Sequence, residues 1–162
     1  MVQKYDISTN SNIPWSPGVD LGPRKEGEPG GNAEFPKYRA LVGSLMWLSV
    51  MTRPDIANAI RACARHSHKP SPRHWKALLQ VAACVKSTNE IGLRFLRGSG
   101  LRLSVYADAD YAAASGDRRS VSGVAVMLGD TAIGWKSSTQ KCVTTANCEA
   151  EYVALCDASK EA

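Results

Sequence analysis

The stretch Val105-Tyr106-Ala107-Asp108-Ala109-Asp110-Tyr111-Ala112 sets two carboxylates two residues apart, just after the alternating run Leu101-Arg102-Leu103-Ser104. That alternation predicts a β-strand, in which Asp108 and Asp110 share a face. Aspartate is depleted in strands, and two neighbouring carboxylates are costly unless a cation neutralises them. The chemistry these residues suit is the binding of a hard divalent cation through oxygen. A strand that simply ends in a solvated acidic turn fits the spacing as well. A further acid lies downstream. Residues 144–162 predict a helix, with Thr145 or Asn147 as its cap. Cys148, Leu155, Ala158 and Ala162 fall on one stripe at helical spacing, and Glu151 sits in that stripe. Glu149 falls on the flank with Asp157 and Lys160. A carboxylate on an apolar face should be neutral, paired or metal-bound, so a Lys or Arg partner at the stripe's edge also satisfies Glu151.

Two more strands are predicted between these acids, at 119–128 and 132–136. A strand ending in Asp-Ala-Asp, a hairpin, then a helix bearing Glu-Ala-Glu-Tyr: this order resembles the ribonuclease H domain of copia-type LTR-retrotransposon Pol polyproteins. Four blocks carry the resemblance. They are Tyr106-Ala107-Asp108-Ala109-Asp110-Tyr111-Ala112, Asp117-Arg118-Arg119-Ser120-Val121-Ser122-Gly123, Ile133-Gly134-Trp135-Lys136-Ser137-Ser138 and Glu149-Ala150-Glu151-Tyr152-Val153-Ala154. Upstream, Tyr38-Arg39-Ala40-Leu41-Val42-Gly43-Ser44-Leu45-Met46-Trp47-Leu48, Thr52-Arg53-Pro54-Asp55-Ile56 and His74-Trp75-Lys76-Ala77 resemble the region between polymerase and ribonuclease H in the same family. Two departures stand out. Ala146-Asn147-Cys148 replaces the usual small hydroxyl residues, and Ala112-Ala113-Ala114 stands where Trp-Ala-Gly is commoner.

The resemblance implies hydrolysis of the RNA strand of an RNA–DNA hybrid. Two divalent ions about 3.5–4 Å apart would activate water and stabilise the leaving oxygen. Asp108 would be the catalytic Asp and Glu151 the catalytic Glu, both ligands of Mg2+ (or Mn2+). The family adds a third Asp on a later strand and another carboxylate near the domain's end, and neither Asp110 nor Asp157 matches those positions. The expectation is a polyprotein fragment, the end of a reverse transcriptase and the front of a ribonuclease H. Its metal binding should be weak, and alone it should be nearly inactive. The rival expectation is a non-catalytic module for nucleic acid or protein.

The elements that must position these residues follow from the pattern. The expected fold class is α/β (α+β): a small helical region, then a partial ribonuclease H-like mixed sheet with a C-terminal helix. Residues 1–35 hold Pro14, Pro17, Pro23, Pro29 and a Gly30-Gly31 pair, and read as an irregular linker, mostly disordered. Residues 36–98 form the helical region. Tyr38, Leu41, Val42, Leu45 and Leu48 make one helical stripe, Ile56, Ile60, Cys63 and Ser67 a second running to about His66, and Trp75, Leu78, Leu79, Ala82 and Val85 a third. Residues 91–96 look like a short strand, and the Gly98-Ser99-Gly100 turn marks the boundary to the 101–162 region.

Charge bears on partners. The chain has 162 residues and a net charge of +5. Residues 53–86 contain Arg53, Arg61, Arg65, Lys69, Arg73, Lys76 and Lys86 against one acid, Asp55. Arg61, Arg65 and Lys69 lie four apart, and with Arg73 they are candidate phosphate contacts that do not read sequence. A solvated helix face has the same look. The expected partners are an RNA–DNA hybrid or other nucleic acid and the rest of a Pol polyprotein, with no membrane, since the most apolar stretch, 41–51, is too short to span one. Five cysteines in no regular frame suggest reduced thiols, inside a cell in cytoplasm or nucleus, not secreted. Cys63-x-x-His66-x-His68 resembles half a zinc site, but no second pair follows at ligand spacing.

Overall fold

The computed structural model describes every residue except 1–4, 6, 17, 18, 20, 32, 99, 114–116 and 162. It is a mixed α+β fold of four α-helices and one three-stranded antiparallel sheet. The chain divides into two units, Met1–Gly92 and Leu93–Ala162.

The first unit is helical. α1 (Tyr38–Met51) buries Tyr38, Leu41, Val42 and Leu45 of the predicted stripe, with Leu48 partly buried against the same core and Ser49 buried beside it. The Ser49 hydroxyl donates to Met46 O at 2.8 Å, which satisfies it there. α1 stops before Pro54, whose ring cannot continue it, and a 3-10 turn (Pro54–Ile56) leads into α2 (Ala57–Ala64). α3 (Pro72–Ser87) begins at a proline and buries Leu78, Val81 and Ala82 among others. Tyr38 hydroxyl donates to Cys63 O at 2.8 Å, a buried bond from α1 to α2. Each fully buried Leu or Ile here contributes about 1.5–3 kcal/mol.

The 1–35 stretch corrects the linker expectation. Its described residues form no α-helix or strand, yet Tyr5, Ile7 and Leu21 are buried in the helical core, and Trp15 and Val19 pack against it. It is held by side chains of α3: Lys86 Nζ donates to the Ile7 backbone O at 2.9 Å and Gln80 Nε2 to the Ser16 hydroxyl at 2.8 Å. The physical reason is that three short helices leave apolar surface uncovered, and an irregular chain with scattered large residues covers it.

The second unit is β1 (Leu103–Asp110), β2 (Val121–Leu128), β3 (Thr131–Thr139) and α4 (Asn147–Glu161). The strands lie in sequence order, with Asp108 opposite Gly123 and Gly123 opposite Ser137. The segment 91–96 is not a strand. Ile91, Phe95 and Leu96 are exposed, and no described strand pairs with it. The α4 stripe is also corrected. Ala150, Ala154 and Ala158 face the sheet, packed on Val105, Ala107, Ala109, Val124 and Val126. Cys148 and Leu155 are exposed, and Ala162 lies outside the described residues. Alanine wins the inward face because its methyl lets the helix approach the pleated surface closely.

Candidate functional site

On β1, Val105, Ala107 and Ala109 meet the alanines of α4. Strand pleating then sends Tyr106, Asp108 and Asp110 to the opposite face of the sheet. Asp108 and Asp110 share that face, as the spacing predicts, and both are exposed. Glu151 lies one residue past buried Ala150, on the half-buried flank of α4, not in its inward stripe. Among the described residues, the carboxylates of Asp108 and Glu151 make no hydrogen bond or ion pair with each other or with any other group.

The start of α4 is fixed by a different acid. Glu149 Oε2 accepts from Thr145 N–H at 2.6 Å and from Thr145 hydroxyl at 3.0 Å. Those bonds, the backbone one first, hold the Glu149 carboxyl below the usual range. Glu149 is therefore a cap that ties down a free backbone donor. Tyr111 hydroxyl donates to Thr145 O at 3.1 Å, fastening the end of β1 to the same corner. Gln140 completes it, donating from Nε2 to Ser122 Oγ and to Ala150 O, both at 2.9 Å. Sequence reading missed Gln140, because Ser137-Ser138-Thr139-Gln140 looks like an exposed polar strand end. The Asp117-Arg118-Arg119-Ser120 turn is a surface turn with an Arg119–Asp117 ion pair, while Ser120 points inward onto Thr144 Oγ1 at 2.9 Å.

The donor chemistry suits Mg2+, but the donor number does not. Among the described residues, no group of three or more His, Cys, Asp or Glu side chains gathers closely enough to hold a metal. Asp108 and Glu151 do not by themselves make a metal centre.

The basic row is rearranged. α2 ends at Ala64, short of His66, with His66 N–H bonded to Cys63 O and Ser67 N–H to Ala64 O, both at 3.1 Å. Arg65 caps the end of α2 with helical dihedrals, one turn on from Arg61, while Lys69 lies past the helix in a bend. Arg61 forks onto Asn58 Oδ1 at 2.8 and 3.2 Å. Arg73 is engaged internally, donating to Pro23 O at 2.6 Å and lying 3.6 Å from Glu28. Arg53 is also internal, paired with Asp55 at 2.7 Å.

Two histidines stack beside these turns, His66 on His74, with centroids 3.9 Å apart. Ser71 N–H donates to His74 Nδ1 at 3.1 Å, so Nε2 carries the proton and donates to Gly22 O at 3.0 Å. Burial first, then the proximity of His74, pushes the His66 pKa from 6.5 down to about 4; a backbone bond to Leu21 opposes the shift, while Arg65 and Arg73 add to it. The sign follows. Between pH 4 and 6.5 the unfolded chain binds more protons at this ring than the folded one. Stability should be flat above that window and fall as pH drops through it. The loss should be about 1–2 kcal/mol once screening at a half-buried ring is discounted. Urea midpoints at neutral and acid pH measure the fall, and His66→Gln should reduce it.

No family model matches the chain, and no solved structure does. Several curated proteins are similar to it. Over 125 residues it is 39% identical to the "Secreted RxLR effector protein 161" of Plasmopara viticola, a match covering 77% of this chain and 88% of that protein. Over 125 residues it is 38% identical to the "Retrovirus-related Pol polyprotein from transposon RE2" of Arabidopsis thaliana, covering 77% of this chain and 8% of the polyprotein. Over 134 residues it is 39% identical to the "Retrovirus-related Pol polyprotein from transposon TNT 1-94" of Nicotiana tabacum, covering 83% of this chain and 10% of the polyprotein. The chain thus spans a tenth or less of these two long relatives and most of the short one.

Proposed function

Because the chain belongs to the family that joins the retrovirus-related Pol polyproteins of transposons with shorter proteins such as the Plasmopara viticola one, we propose that it is a segment of such a polyprotein. On this reading residues 36–98 close the reverse transcriptase and 101–162 open the ribonuclease H domain. The observation that carries it is the reach of the similarity. A match of 134 residues is longer than either unit, so it runs through both. The order Asp108 on β1, hairpin, Glu151 on α4 supports the same assignment.

In the whole enzyme Asp108, on the sheet face away from α4, and Glu151, on the flank of α4, would have to be brought to the same Mg2+ or Mn2+ ions, which would activate water for cleavage of the RNA strand of a hybrid. With so small a donor set, this segment alone binds the ion weakly and does not turn over. Incubation with a labelled RNA–DNA hybrid and Mg2+ tests this. The expected result is no cleavage above background. Robust cleavage that Asp108→Asn abolishes would overturn the inactivity, and cleavage indifferent to that change would remove Asp108 from the site.

A second reading is a non-catalytic nucleic-acid-binding or protein-interaction remnant. The basic balance of +5 and the small donor set favour it. It predicts salt-dependent binding to duplexes that is the same with and without Mg2+. All five cysteines are free thiols, three of them exposed, which fits a reducing compartment, cytoplasm or nucleus.

A further inference from the structure

Two separated segments of the helical unit, 23–26 and 65–69, border an open concavity of about 430 Å3. Arg24 and Lys25 line it from the first segment, and Arg65, His66, His68 and Lys69 from the second. Among the described residues that line it, Glu26 is the one acid. So many like charges repel, and the walls stay together only because the backbone is clamped on both sides. Gly31 N–H donates to Pro70 O at 2.8 Å, and Gly30 packs so tightly on the same carbonyl that a Cβ there would lie 2.3 Å from it. Arg73 Nη2 donates to Pro23 O at 2.6 Å, and Arg24 Nη1 to Gly30 O at 3.0 Å. Lys25 N–H donates to Glu28 Oε2 at 3.0 Å, which spends the nearby Glu28 on the backbone. Among the described residues, the side chains of Lys25, His68 and Lys69 have no partner.

We propose that this concavity seats a phosphate of a nucleic-acid backbone, with Arg24, Lys25 and Lys69 as its charged donors and His68 beside them. Guanidinium and ammonium donors converging on one open hollow match a tetrahedral oxyanion, whose oxygens take several charge-assisted bonds at once. The described lining residues include no Phe, Tyr or Trp on which a base could stack, so the contact is to the backbone and blind to sequence. The inference rests on the nucleic-acid reading of the helical unit, and it moves the contact from a helical row of arginines to this hollow. Arg24 and Lys25 lie in the stretch that looked like a linker, so the sequence alone gave no reason to join them to Lys69.

The full chain and a fluorescent RNA–DNA hybrid test it by anisotropy at about 50 mM salt. The variant is Lys25→Glu with Lys69→Glu, which leaves the Arg24 bond to Gly30 in place. Its control is Lys37→Glu with Lys141→Glu, an equal change of charge at two exposed lysines elsewhere. The pocket pair should weaken binding about tenfold or more and lower the salt slope by about two, while the control pair should change affinity about twofold. Equal losses in both pairs would overturn the pocket and leave nucleic-acid binding as diffuse charge. No binding by the unaltered chain would overturn both. An oligoglutamate that binds as tightly as the hybrid, with the same loss in the pocket pair, would replace the phosphate by an acidic peptide. In NMR spectra, the hybrid should move the His68 ring signals of the unaltered chain and of the control pair. Unmoved His68 signals in a chain that binds would overturn the pocket.

Discussion

Asp55→Ala is expected to cost the helical unit about 3 kcal/mol, more than Arg53→Met, which should cost about 1–2 kcal/mol. The asymmetry comes from burial. The Arg53 side chain is 5% exposed and that of Asp55 42%. Arg53 Nε and Nη2 donate to Asp55 at 2.8 and 2.7 Å, while Nη1 and Nη2 hold Thr88 O and Oγ1 at 3.0 and 2.7 Å. The bonds to Asp55 raise the Arg53 pKa against its burial, so the guanidinium stays charged. Removing the aspartate strands that charge away from water. Removing the arginine leaves an aspartate that water already reaches. Urea unfolding of the two variants and of the double change measures this. The double change should cost less than the sum, and a larger loss for Arg53→Met than for Asp55→Ala would refute the account.

Gly30→Ala is the other large effect. Gly30 has φ +154°, and an added Cβ would also meet Arg24 Cδ at 3.1 Å and Ser71 Cα at 3.2 Å. Neither backbone contact can yield without parting the N-terminal stretch from the start of α3. The expected cost is about 2–3 kcal/mol. Gly43→Ala is the internal comparison. Gly43 is exposed in the middle of α1 with open space around it, so alanine there should stabilise by about 0.5–1 kcal/mol. Thermal melts of the two variants should move in opposite directions. Limited proteolysis should then find residues 5–31 newly accessible in Gly30→Ala alone.

Local pattern was enough for α1 and α3, where Tyr38, Leu41 and Leu45, or Leu78 and Val81, repeat at helical spacing next to a proline that fixes the start or the stop. It was enough for β1 and β2 as well, because alternation shows which residues share a face. It was insufficient where a partner decides. Residues 91–96 have strand-like composition, but an isolated run gains nothing from extension without a neighbour to bond. In α4, size mattered more than hydrophobicity, so Ala150 and Ala154 took the sheet and Leu155 faced out. The carboxylates Asp108 and Glu151 were legible as residues on β1 and α4. The side of the sheet that α4 would cover was not legible. The roles of Arg53, Arg73 and Lys86 were hidden for a similar reason. A cation that holds a distant backbone carbonyl looks, in one dimension, like any surface charge.

The packing of the N-terminal stretch onto α3 sets an order of events during synthesis. Lys86 Nζ bonds Ile7 O across 79 positions, and Ser87 Oγ bonds Ser11 N–H across 76. The apolar residues around Ile7 leave the ribosome long before the helix that houses them. Until α3 emerges they have no native shelter, and such long-range closure is slow compared with forming a helix. Nascent chains halted before Ser87 should therefore be the ones that chaperones hold.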